Sequence, residues 1–464
     1  MTGFRTHLDF LAKTDDLLAL DRPTVSPQVV AAEALRANGP ALRFRPGEGD
    51  GVALASGVYG GTDQLARRAR YPWTRLGIGF GIDRDPDYVA VLDALVGLGE
   101  RTDPHDVTYV QRAASTTDLT MRDLDLPQPP DAAWPRFTLG LASVRVAGGT
   151  CWAPIHGSVL DGETVRARVP QGLVDRLSQG DAVTVALGVP PEALAATYLL
   201  AVTDRLADPV QERAVAAEVP LVPTAGGVVP SASEVVVEAA VAGQQPETAA
   251  ETGECWERLV DSTTLTLDVT DVFAREDAVV PFTPLGAPLG DDLQLTALAR
   301  AARLFERANS YWGISPVAWL LLPAETRLGT CFVASDVLYA GFEWQLANFL
   351  FSVSESFDKV VVVDADVSPR NLGQVLADIW IKAHPARDWL FSESDAPAAR
   401  MPTYRADRDT GARLYVDTTW DPRWQEEYVA PRVSFTESYP TEVREAVRES
   451  WADFGFATPP DEVP

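Results

Sequence analysis

The sequence predicts a chain of three parts: an α/β domain, a barrel-like β domain and a second α/β domain. Short strands alternate with helices over residues 1–115 and again over residues 311–464, which is the pattern of α/β layers. Between them, over residues 116–310, β-rich runs follow one another with Gly, Asp and Pro turns and few helices, which indicates a barrel. With 464 residues, the chain is long enough to build several hydrophobic cores.

The first domain is predicted from apolar residues at helical spacing, from β-type runs and from the turns between them. An amphipathic helix is expected over Phe4–Leu20, and Asn38-Gly39-Pro40 is a strong stop signal after a second helix. In chain order, the predicted elements are helices over Phe4–Leu20 and Val29–Ala37, strands over Ala41–Phe44 and Val52–Ser56, a tight turn at Val58–Gly61 and a helix over Gln64–Arg70.

The central domain is predicted from β-branched runs separated by turn residues. One helix is expected to follow Gly188-Val189-Pro190-Pro191, because proline suits the first turn of a helix. The predicted strands are Phe137–Val146, Val165–Val169, Ala182–Leu187 and Val235–Val237, with further β structure over Leu259–Val280; the predicted helices are Glu192–Val202 and Val210–Ala217.

The last domain opens with the clearest helical period of the chain, over Asp291–Asn309. The run Lys359–Val363 is nearly all valine, which is typical of a strand covered on both faces. Ser368 and Pro369 are predicted to start a helix as N-cap and first residue. Further strands are predicted over Val317–Leu322 and Gly329–Ser335, and a terminal helix over Thr441–Phe454 whose apolar face needs a partner surface on this chain or a neighbour.

Composition excludes several classes of protein. A net charge of −27 disfavours nucleic acid and anionic membranes as partners, because both attract Lys and Arg patches. No apolar run approaches the roughly 20 residues of a membrane span, and the start of the chain does not resemble a signal peptide. Three cysteines without a CxxC pair predict neither a disulfide framework nor a zinc site, and four histidines exclude a histidine-rich metal site. We therefore expect a cytoplasmic protein.

Carboxylates cluster after the valine run of residues 235–237. Glu247, Glu251 and Glu254 follow a Gly/Gln/Pro turn, and a strand can deliver such acids to a cavity wall for proton transfer. Glutamates four apart on a helix form a solvated face equally well. The spacing alone leaves both interpretations open. Glu234 and Glu238 straddle the valines on one face of the strand, and one of the two is predicted to be structural.

Several motifs, in order and spacing, resemble one known family. They are Leu20-Asp21-Arg22-Pro23, Val58-Tyr59-Gly60-Gly61, Ala186–Pro191, Pro209–Glu212, Pro230–Glu238, Lys359–Asp366, Pro385–Asp388 and Tyr415–Thr419. Over nearly its whole length the chain resembles the UbiD family, the prenylated-FMN-dependent carboxy-lyases such as 4-hydroxybenzoate and ferulic acid decarboxylases.

The resemblance implies a central split β-barrel of the flavin-reductase type and a C-terminal α/β domain that forms a homodimer or a larger homo-oligomer. It also implies non-oxidative, reversible decarboxylation of an aromatic or α,β-unsaturated carboxylic acid. The cofactor would be prenylated FMN, or FMN, with a flavin prenyltransferase as supplier. Its expected contacts are Cys151, Gly188, Pro190, Ser231, Ser233 and Glu234.

Carried over residue by residue, the family's N-x-G-x-x-R strand falls on Cys151–His156. The metal-binding asparagine is then Cys151 and the catalytic arginine is His156, while the family's metal histidine falls near Gln171. Glu212 is the one metal ligand that the resemblance retains. Because cysteine is a poor ligand for hard cations, the resemblance leaves open whether Mn²⁺ or Mg²⁺ binds.

The resemblance assigns His156, Glu247 and Glu251 to catalysis. A histidinium at position 156 would hold the substrate carboxylate, Glu251 would donate the proton, and Glu247 would orient the imidazole. His156 could equally be a strand histidine bonded to backbone. Three hypotheses follow: a divergent active decarboxylase, a non-catalytic paralogue that serves as a subunit of a larger complex, and a flavin protein with different chemistry. The substrate's identity and the direction of the reaction stay open.

Overall fold

The computed structural model describes most of the chain, namely residues 3–23, 26–47, 51–60, 70–99, 106–112, 119–129, 132–146, 149–202, 217–246, 263–284, 290–354, 356–392, 411–420 and 438–455. Nearly all of the helices predicted over Val210–Ala217 and over Gln64–Arg70 lies outside these residues. Among the described residues, no helix is both long and apolar enough to cross a membrane.

The N-terminal domain is a small mixed sheet with helices packed on it. Its elements are α1 (Phe4–Lys13), β1 (Leu17–Leu20), α2 (Pro27–Arg36), β2 (Ala41–Phe44), β3 (Ala53–Ser56), α3 (Thr74–Gly79) and α4 (Tyr88–Gly99). β1 pairs with β2 in parallel, and β2 pairs with β3 in antiparallel fashion.

The helix predicted over Phe4–Leu20 was too long. It ends at Lys13, the Thr14 hydroxyl donates to the carbonyl of Leu11, and Asp15 has a left-handed backbone with φ 57°. This conformation stops a helix, and the remaining leucines form β1. The apolar spacing continues through this stop, which is why the pattern alone did not reveal it.

The centre of the molecule is a closed six-stranded antiparallel barrel, which confirms the predicted β domain. Its strands run in the order β10-β11-β6-β5-β4-β7. The elements of this region are β4 (Arg136–Val146), β5 (Gly149–Val159), β6 (Thr164–Arg168), α5 (Gln171–Val174), β7 (Ala182–Leu187), α6 (Pro191–Val202), β8 (Leu221–Pro223), β9 (Val228–Pro230), β10 (Val235–Pro246), β11 (Thr263–Ala274) and β12 (Val279–Pro281).

The barrel ends earlier than the predicted domain boundary at residue 310. After Ala274 the chain returns to the N-terminal domain, where β12 pairs with β3 in parallel and completes the order β1-β2-β3-β12. A strand of three residues is too short to be recognised from periodicity. The fourth strand of the N-terminal sheet therefore comes from a segment more than 200 residues later in the chain than β3.

The C-terminal domain is a five-stranded sheet in the order β13-β14-β15-β17-β16. The central strands β14, β15 and β17 are parallel, which agrees with the buried valine run. Its elements are α7 (Asp291–Tyr311), β13 (Val317–Leu321), β14 (Thr330–Ser335), α8 (Phe342–Val353), β15 (Lys359–Asp364), α9 (Leu372–Ile381), β16 (Trp389–Phe391), β17 (Leu414–Thr418) and α10 (Thr441–Glu449).

The start of one helix and the end of another in this domain differ from the prediction. Helix α9 starts three residues later than expected, because Asn371 rather than Ser368 is its N-cap and accepts a hydrogen bond from the Gln374 amide at 3.0 Å. Helix α10 ends at Glu449 rather than at Phe454, and none of its residues is buried.

Candidate functional site

Strand β5 carries the segment in which the catalytic strand was predicted, and its side chains alternate between two environments. Cys151, Ala153 and Ile155 point into the core of the barrel. Trp152 points outward, packs in the neighbouring core and donates through Nε1 to the carbonyl of Val228 at 2.8 Å. His156 has the same parity as Trp152 and therefore lies on the outer face.

Cys151 does not occupy the position expected of a cofactor or metal contact. It has no exposed surface, and burial raises the pKa of its thiol to about 11. A thiol must lose its proton to bind a metal, so this cysteine is a neutral core residue at neutral pH. Because it lies five residues from His156, its side chain is on the opposite face of the strand. The prediction that Cys151 contacts the cofactor disagrees with this position.

Arginines surround His156 on the outer face of the barrel. Arg136 of β4 and Arg166 of β6 pair with Ser158 from either side, so the three side chains lie next to one another. One step along, His156 pairs with Arg168. Phe137, next to Arg136, and Ala167, between Arg166 and Arg168, point into the barrel core. The arginines therefore point to the outer face. We refer to Arg136, His156, Arg166 and Arg168 as the basic face.

The basic face was not predicted from the sequence, although one signal for it was present. In the run Thr164–Arg168 the alternation of Val165 and Ala167 with Arg166 and Arg168 places both arginines on one face of a strand. What the sequence does not show is that β6 pairs with β5, which brings Arg168 opposite His156. Arg166 additionally lies over the ring of Trp134, 5.8 Å from its centroid.

Gly188 and Pro190 connect β7 to α6. Gly188 has φ 63°, and a Cβ atom there would stand 2.6 Å from Cγ of Glu234, so glycine is required. The carbonyl of Pro190 accepts the amide of Leu194 and starts α6, which packs against β5. The turn at Gly188 and Pro190 therefore lies at the end of the barrel where α6 begins. The role of these two residues in cofactor binding stays a prediction.

Glu234 has a structural role that accounts for its whole carboxylate. It accepts hydrogen bonds from Nε and Nη2 of Arg5 at 2.8–2.9 Å and from the amide of Val279 at 3.2 Å, and Arg275 lies 3.5 Å away. The side chain is fully buried. It therefore joins α1, the barrel and β12. Glu234 also lines the pocket that Ser231 and Ser233 line, and its role as a cofactor contact stays a prediction. Glu238 forms an ion pair with Arg112 at 2.9 Å.

Ser231 and Ser233 line a pocket beside the start of β10, and their role in cofactor binding stays a prediction. The pocket has an empty volume of about 330 Å³ and is also lined by Arg112, Phe273 and Arg275. The Ser233 hydroxyl donates to the carbonyl of Pro230 at 2.6 Å.

The remaining predicted site residues, Glu212, Glu247 and Glu251, lie outside the described residues. Within the ranges that the structure describes, no group of three or more His, Cys, Asp and Glu side chains is arranged to hold a metal ion. The role of Glu212 as a metal ligand stays a prediction. The roles of His156, Glu247 and Glu251 in catalysis stay predictions.

A second group of titratable residues surrounds Asp417 on β17 of the C-terminal sheet. Burial raises the pKa of Asp417 to about 6, and hydrogen bonds from the amide and hydroxyl of Thr419 partly oppose this shift. The charges of Glu343 and Asp388 raise the pKa of Asp417 further. Between pH about 4 and about 6, Asp417 therefore keeps its proton in the folded protein, whereas an aspartate in the unfolded chain has lost it.

Asp417→Asn is expected to change how stability depends on pH. Since the folded pKa lies above the ordinary value, the wild type loses stability as the pH rises from about 4 to about 6, and the variant does not. At pH 7.5 the variant should be more stable by about 1–3 kcal/mol. Urea unfolding at pH 4.5 and 7.5 measures both values, with the exposed Asp9→Asn as control. A variant equally destabilised at both values would contradict the expectation.

Comparison with known proteins gives a family match for part of the chain and one similar curated protein. Residues 294–418 match the family described as 3-octaprenyl-4-hydroxybenzoate carboxy-lyase C-terminal domain. The chain is 22% identical over 352 residues to the pyrrole-2-carboxylic acid decarboxylase of Pseudomonas aeruginosa, covering 71% of this chain and 68% of that protein.

Solved structures share the fold over almost the full length. The vanillic acid decarboxylase of Sedimentibacter hydroxybenzoicus in an open form gives a TM-score of 0.78 at 15% identity, with 98% of this chain and 100% of that chain covered. The UbiD-class enzyme HmfF from Pelotomaculum thermopropionicum, in complex with FMN, gives 0.77 at 18% identity, with 95% and 99% covered. An evolved dimeric form of HmfF in complex with prFMN gives 0.73 at 17% identity, with 96% and 100% covered. The chain therefore shares the fold of UbiD-class decarboxylases over almost its full length, and its residues 294–418 match the C-terminal domain of a carboxy-lyase family.

Proposed function

We propose that the protein is a non-oxidative decarboxylase of an aromatic or α,β-unsaturated carboxylic acid that uses prenylated FMN. The observation that carries this proposal is the UbiD carboxy-lyase C-terminal domain, joined to a full-length fold like that of HmfF, which has been solved with FMN and with prFMN. The pyrrole-2-carboxylic acid decarboxylase relative supports a small heteroaromatic acid as substrate. The protein would work in the cytoplasm, supplied with cofactor by a flavin prenyltransferase.

The chemistry of decarboxylation assigns separate tasks to the cofactor and to the protein. Prenylated FMN, when bound, supplies the electron sink for the bond that breaks as CO₂ leaves. The protein has to hold the carboxylate and return a proton to the carbon that loses CO₂. We assign the first task to His156 on the basic face and the second to Glu251, with Glu247 orienting His156. The two glutamates are assigned by resemblance alone.

Co-expression with a flavin prenyltransferase tests the cofactor and the reaction together. We expect the purified protein to absorb in the flavin region and to release a prenylated FMN mass on denaturation. We also expect CO₂ release from at least one acid in a panel that includes pyrrole-2-carboxylate and hydroxybenzoates. A colourless protein that releases no flavin mass would contradict the proposal.

The non-catalytic paralogue is a second candidate, and two observations favour it. Cys151 sits in the barrel core, and the described residues provide no metal site of the kind that the resemblance implies. Such a protein would keep the fold and its assembly surfaces and would copurify, flavin-free, as a subunit of a larger complex. Bound flavin without CO₂ release would instead support the third hypothesis, a flavin protein with different chemistry.

We further propose that the chain assembles as a homodimer or a larger homo-oligomer through its C-terminal domain. Helix α10 buries none of its residues, and Val443 and Val447 are among its exposed apolar side chains. On α9 and β16 an apolar patch is exposed: Trp380 is 79%, Ile381 77% and Phe391 68% accessible. An apolar helix face and an apolar patch on the same chain are complementary surfaces that a second copy can cover.

Removal of residues 441–464 is expected to convert the oligomer into a monomer, because it takes away one of the two apolar surfaces. Light scattering coupled to size exclusion measures the mass of the full chain and of the truncated chain. Trp380→Ser combined with Ile381→Ser should weaken assembly in the same direction without shortening the chain. A full-length chain that is already monomeric at micromolar concentration would contradict the proposal.

A further inference from the structure

We propose that Arg370 is a releasable latch between the N-terminal and C-terminal domains, and that the two domains part at this latch while a buried contact between Tyr88 and Leu320 acts as the pivot. The seam that opens lies between the segment that precedes α4 and the connection from β15 to α9. This movement is a property of the fold and is independent of the reaction proposed above.

One guanidinium group joins the two domains at the surface of the molecule. Nη1 of Arg370 donates to the carboxylate of Asp85 at 2.6 Å, and Nη2 donates to the carbonyls of Asp85 and Pro86 at 3.4 and 3.3 Å. The same group lies over the ring of Tyr71, 5.0 Å from its centroid. Arg370 follows β15 in the C-terminal domain, whereas its partners flank α3 in the N-terminal domain. A single side chain therefore makes this whole set of contacts across the seam.

The segment that carries Arg370 is fixed to the C-terminal sheet. Val367 is buried, and its carbonyl accepts a hydrogen bond from Nε1 of Trp319 on β13 at 2.6 Å. The hydroxyl of Ser368 accepts the amide of Arg370 at 3.2 Å, and the carbonyl of Ser368 accepts the amide of Asn371, the N-cap of α9. Because the segment is bonded to β13 and leads directly into α9, Arg370 moves with the C-terminal domain.

The acceptors of Arg370 are fixed to the N-terminal domain. The carbonyl of Pro86 also accepts Nε1 of Trp73 at 3.0 Å, and a Cβ atom at Gly77 would stand only 2.5 Å from Cγ of Pro86. The Trp73 ring packs between the rings of Tyr71 and Tyr88, with centroids 4.9 and 4.7 Å away. Both sides of the latch therefore belong to well-packed domains, so its release separates the domains and does not merely free a loop.

The two ends of the seam differ in burial. At the inner end the Tyr88 hydroxyl donates to the carbonyl of Leu320 at 2.7 Å, and neither residue has exposed surface. Breaking this bond leaves buried polar groups without partners, which is costly. At the outer end the side chains of Arg370 and Asp85 are 31% and 60% exposed, so water replaces their hydrogen bonds at small cost. The domains therefore part at Arg370 and pivot at Tyr88.

The seam beside the pivot is loosely packed. A cavity with an empty volume of about 270 Å³ is lined by Trp73 and Tyr88 of the N-terminal domain, by Gln294 of α7, and by Leu321 and Pro323 at the end of β13. Nε2 of Gln294 is buried, and no acceptor among the described residues lies within hydrogen-bond distance of it. Side chains that border a void have fewer contacts to lose when the surfaces separate. The cavity therefore lowers the cost of opening the seam.

The distance between two spin labels on the full-length protein measures the opening of the seam. Asp83→Cys and Gly373→Cys place the labels at exposed positions on either side of the latch, in a Cys255→Ser background; the other cysteines, Cys151 and Cys331, are buried. Dilution with unlabelled protein leaves one labelled chain in each assembly, so the measured distance lies within one chain.

With Arg370 in place and at low salt, we expect a single short distance between the labels. Arg370→Gln should raise the long-distance population about tenfold, because an exposed ion pair and a cation–π contact are lost together. Raising the salt concentration from about 0.05 to about 0.5 M should raise this population when Arg370 is present and have much less effect in Arg370→Gln, because salt screens exposed charges.

Arg303→Gln is the matched control, because Arg303 is 24% exposed and pairs with Glu306 at 2.6 Å within α7, not across the seam. It should leave the distance distribution unchanged. Charge reversal, Arg370→Glu combined with Asp85→Arg, should restore part of the short-distance population that Arg370→Glu alone loses, and it keeps the test decisive if Arg370→Gln disturbs folding. A distribution that neither Arg370→Gln nor salt alters, an equal effect of Arg303→Gln, or a charge reversal that restores nothing would each overturn the proposal.

Discussion

Replacement of Arg75 by methionine is expected to lower the free energy of unfolding by about 3–5 kcal/mol. The buried Asp16 carboxylate then keeps only the more exposed Arg70, at 2.9 Å, of the two arginines that pair with it, and three backbone carbonyls lose a donor. Nε and Nη2 of Arg75 donate to the two oxygens of Asp16 at 2.9 and 2.8 Å, and both side chains are almost completely buried. The same guanidinium donates to the carbonyls of Gly39, Gly57 and Gly60.

The consequences of this substitution should extend to the turn at residues 57–60. The carboxylate of Asp291 accepts the amides of Val58, Tyr59 and Gly60 at 2.7–3.0 Å, so α7 and Arg75 hold this turn from both sides. Removing the guanidinium takes a donor from the carbonyls of Gly57 and Gly60 and leaves the Asp16 carboxylate paired with Arg70. Arg75→Lys should recover only part of the loss, because an ammonium lacks the planar fork.

Urea unfolding of Arg75→Met and Arg45→Met gives the comparison that isolates burial. Arg45 pairs with Asp21 at 2.7 Å, yet both side chains are exposed, and such pairs contribute at most about 1 kcal/mol. We expect a large loss for Arg75→Met and almost none for Arg45→Met. Similar small losses in both variants would show that the buried network contributes little to stability.

Glu251→Gln is expected to reduce decarboxylation by at least about 100-fold while flavin stays bound, because a positioned general acid contributes 10²- to 10⁴-fold to rate. The amide is close in shape to the carboxylic acid but cannot deliver the proton. Glu254→Gln is the matched control, three residues further along the same acidic stretch, and it should retain activity. Turnover that survives Glu251→Gln would remove Glu251 from the reaction.

Position 156 is tested separately, through the Michaelis constant. His156→Ala should raise the KM for the acid more than it lowers kcat, since the imidazole binds the carboxylate in this assignment. His156→Arg restores the family residue and should retain or improve binding, because arginine is a stronger carboxylate partner. Unchanged kinetics in both variants would show that His156 does not contact the substrate, and Arg168 on the facing strand would then be the next position to substitute.

Local pattern predicted much of the fold. Strands such as Ala41–Phe44 and Ala182–Leu187 have the predicted bounds, and Lys359–Val363 falls short of the observed strand by one residue. Their runs of β-type residues are short and bounded by turn residues, so the residue pattern and the turn signals predict the same strand ends. At Asp15 the two signals differ: one residue with a left-handed backbone ends the helix, while the apolar spacing continues into the strand that follows.

By itself the sequence determined the order of α/β, barrel and α/β elements and the resemblance to the UbiD family, because both depend on the order of local patterns along the chain. Only the tertiary structure decided which residues meet. The parity of β5 separates Cys151 from His156, the closure of the barrel sets Arg168 beside His156, and Arg5 takes up the Glu234 carboxylate from 229 residues away. Periodicity states which residues of a strand share a face, but strand neighbours are chosen by long-range burial and hydrogen bonding, which no local window contains.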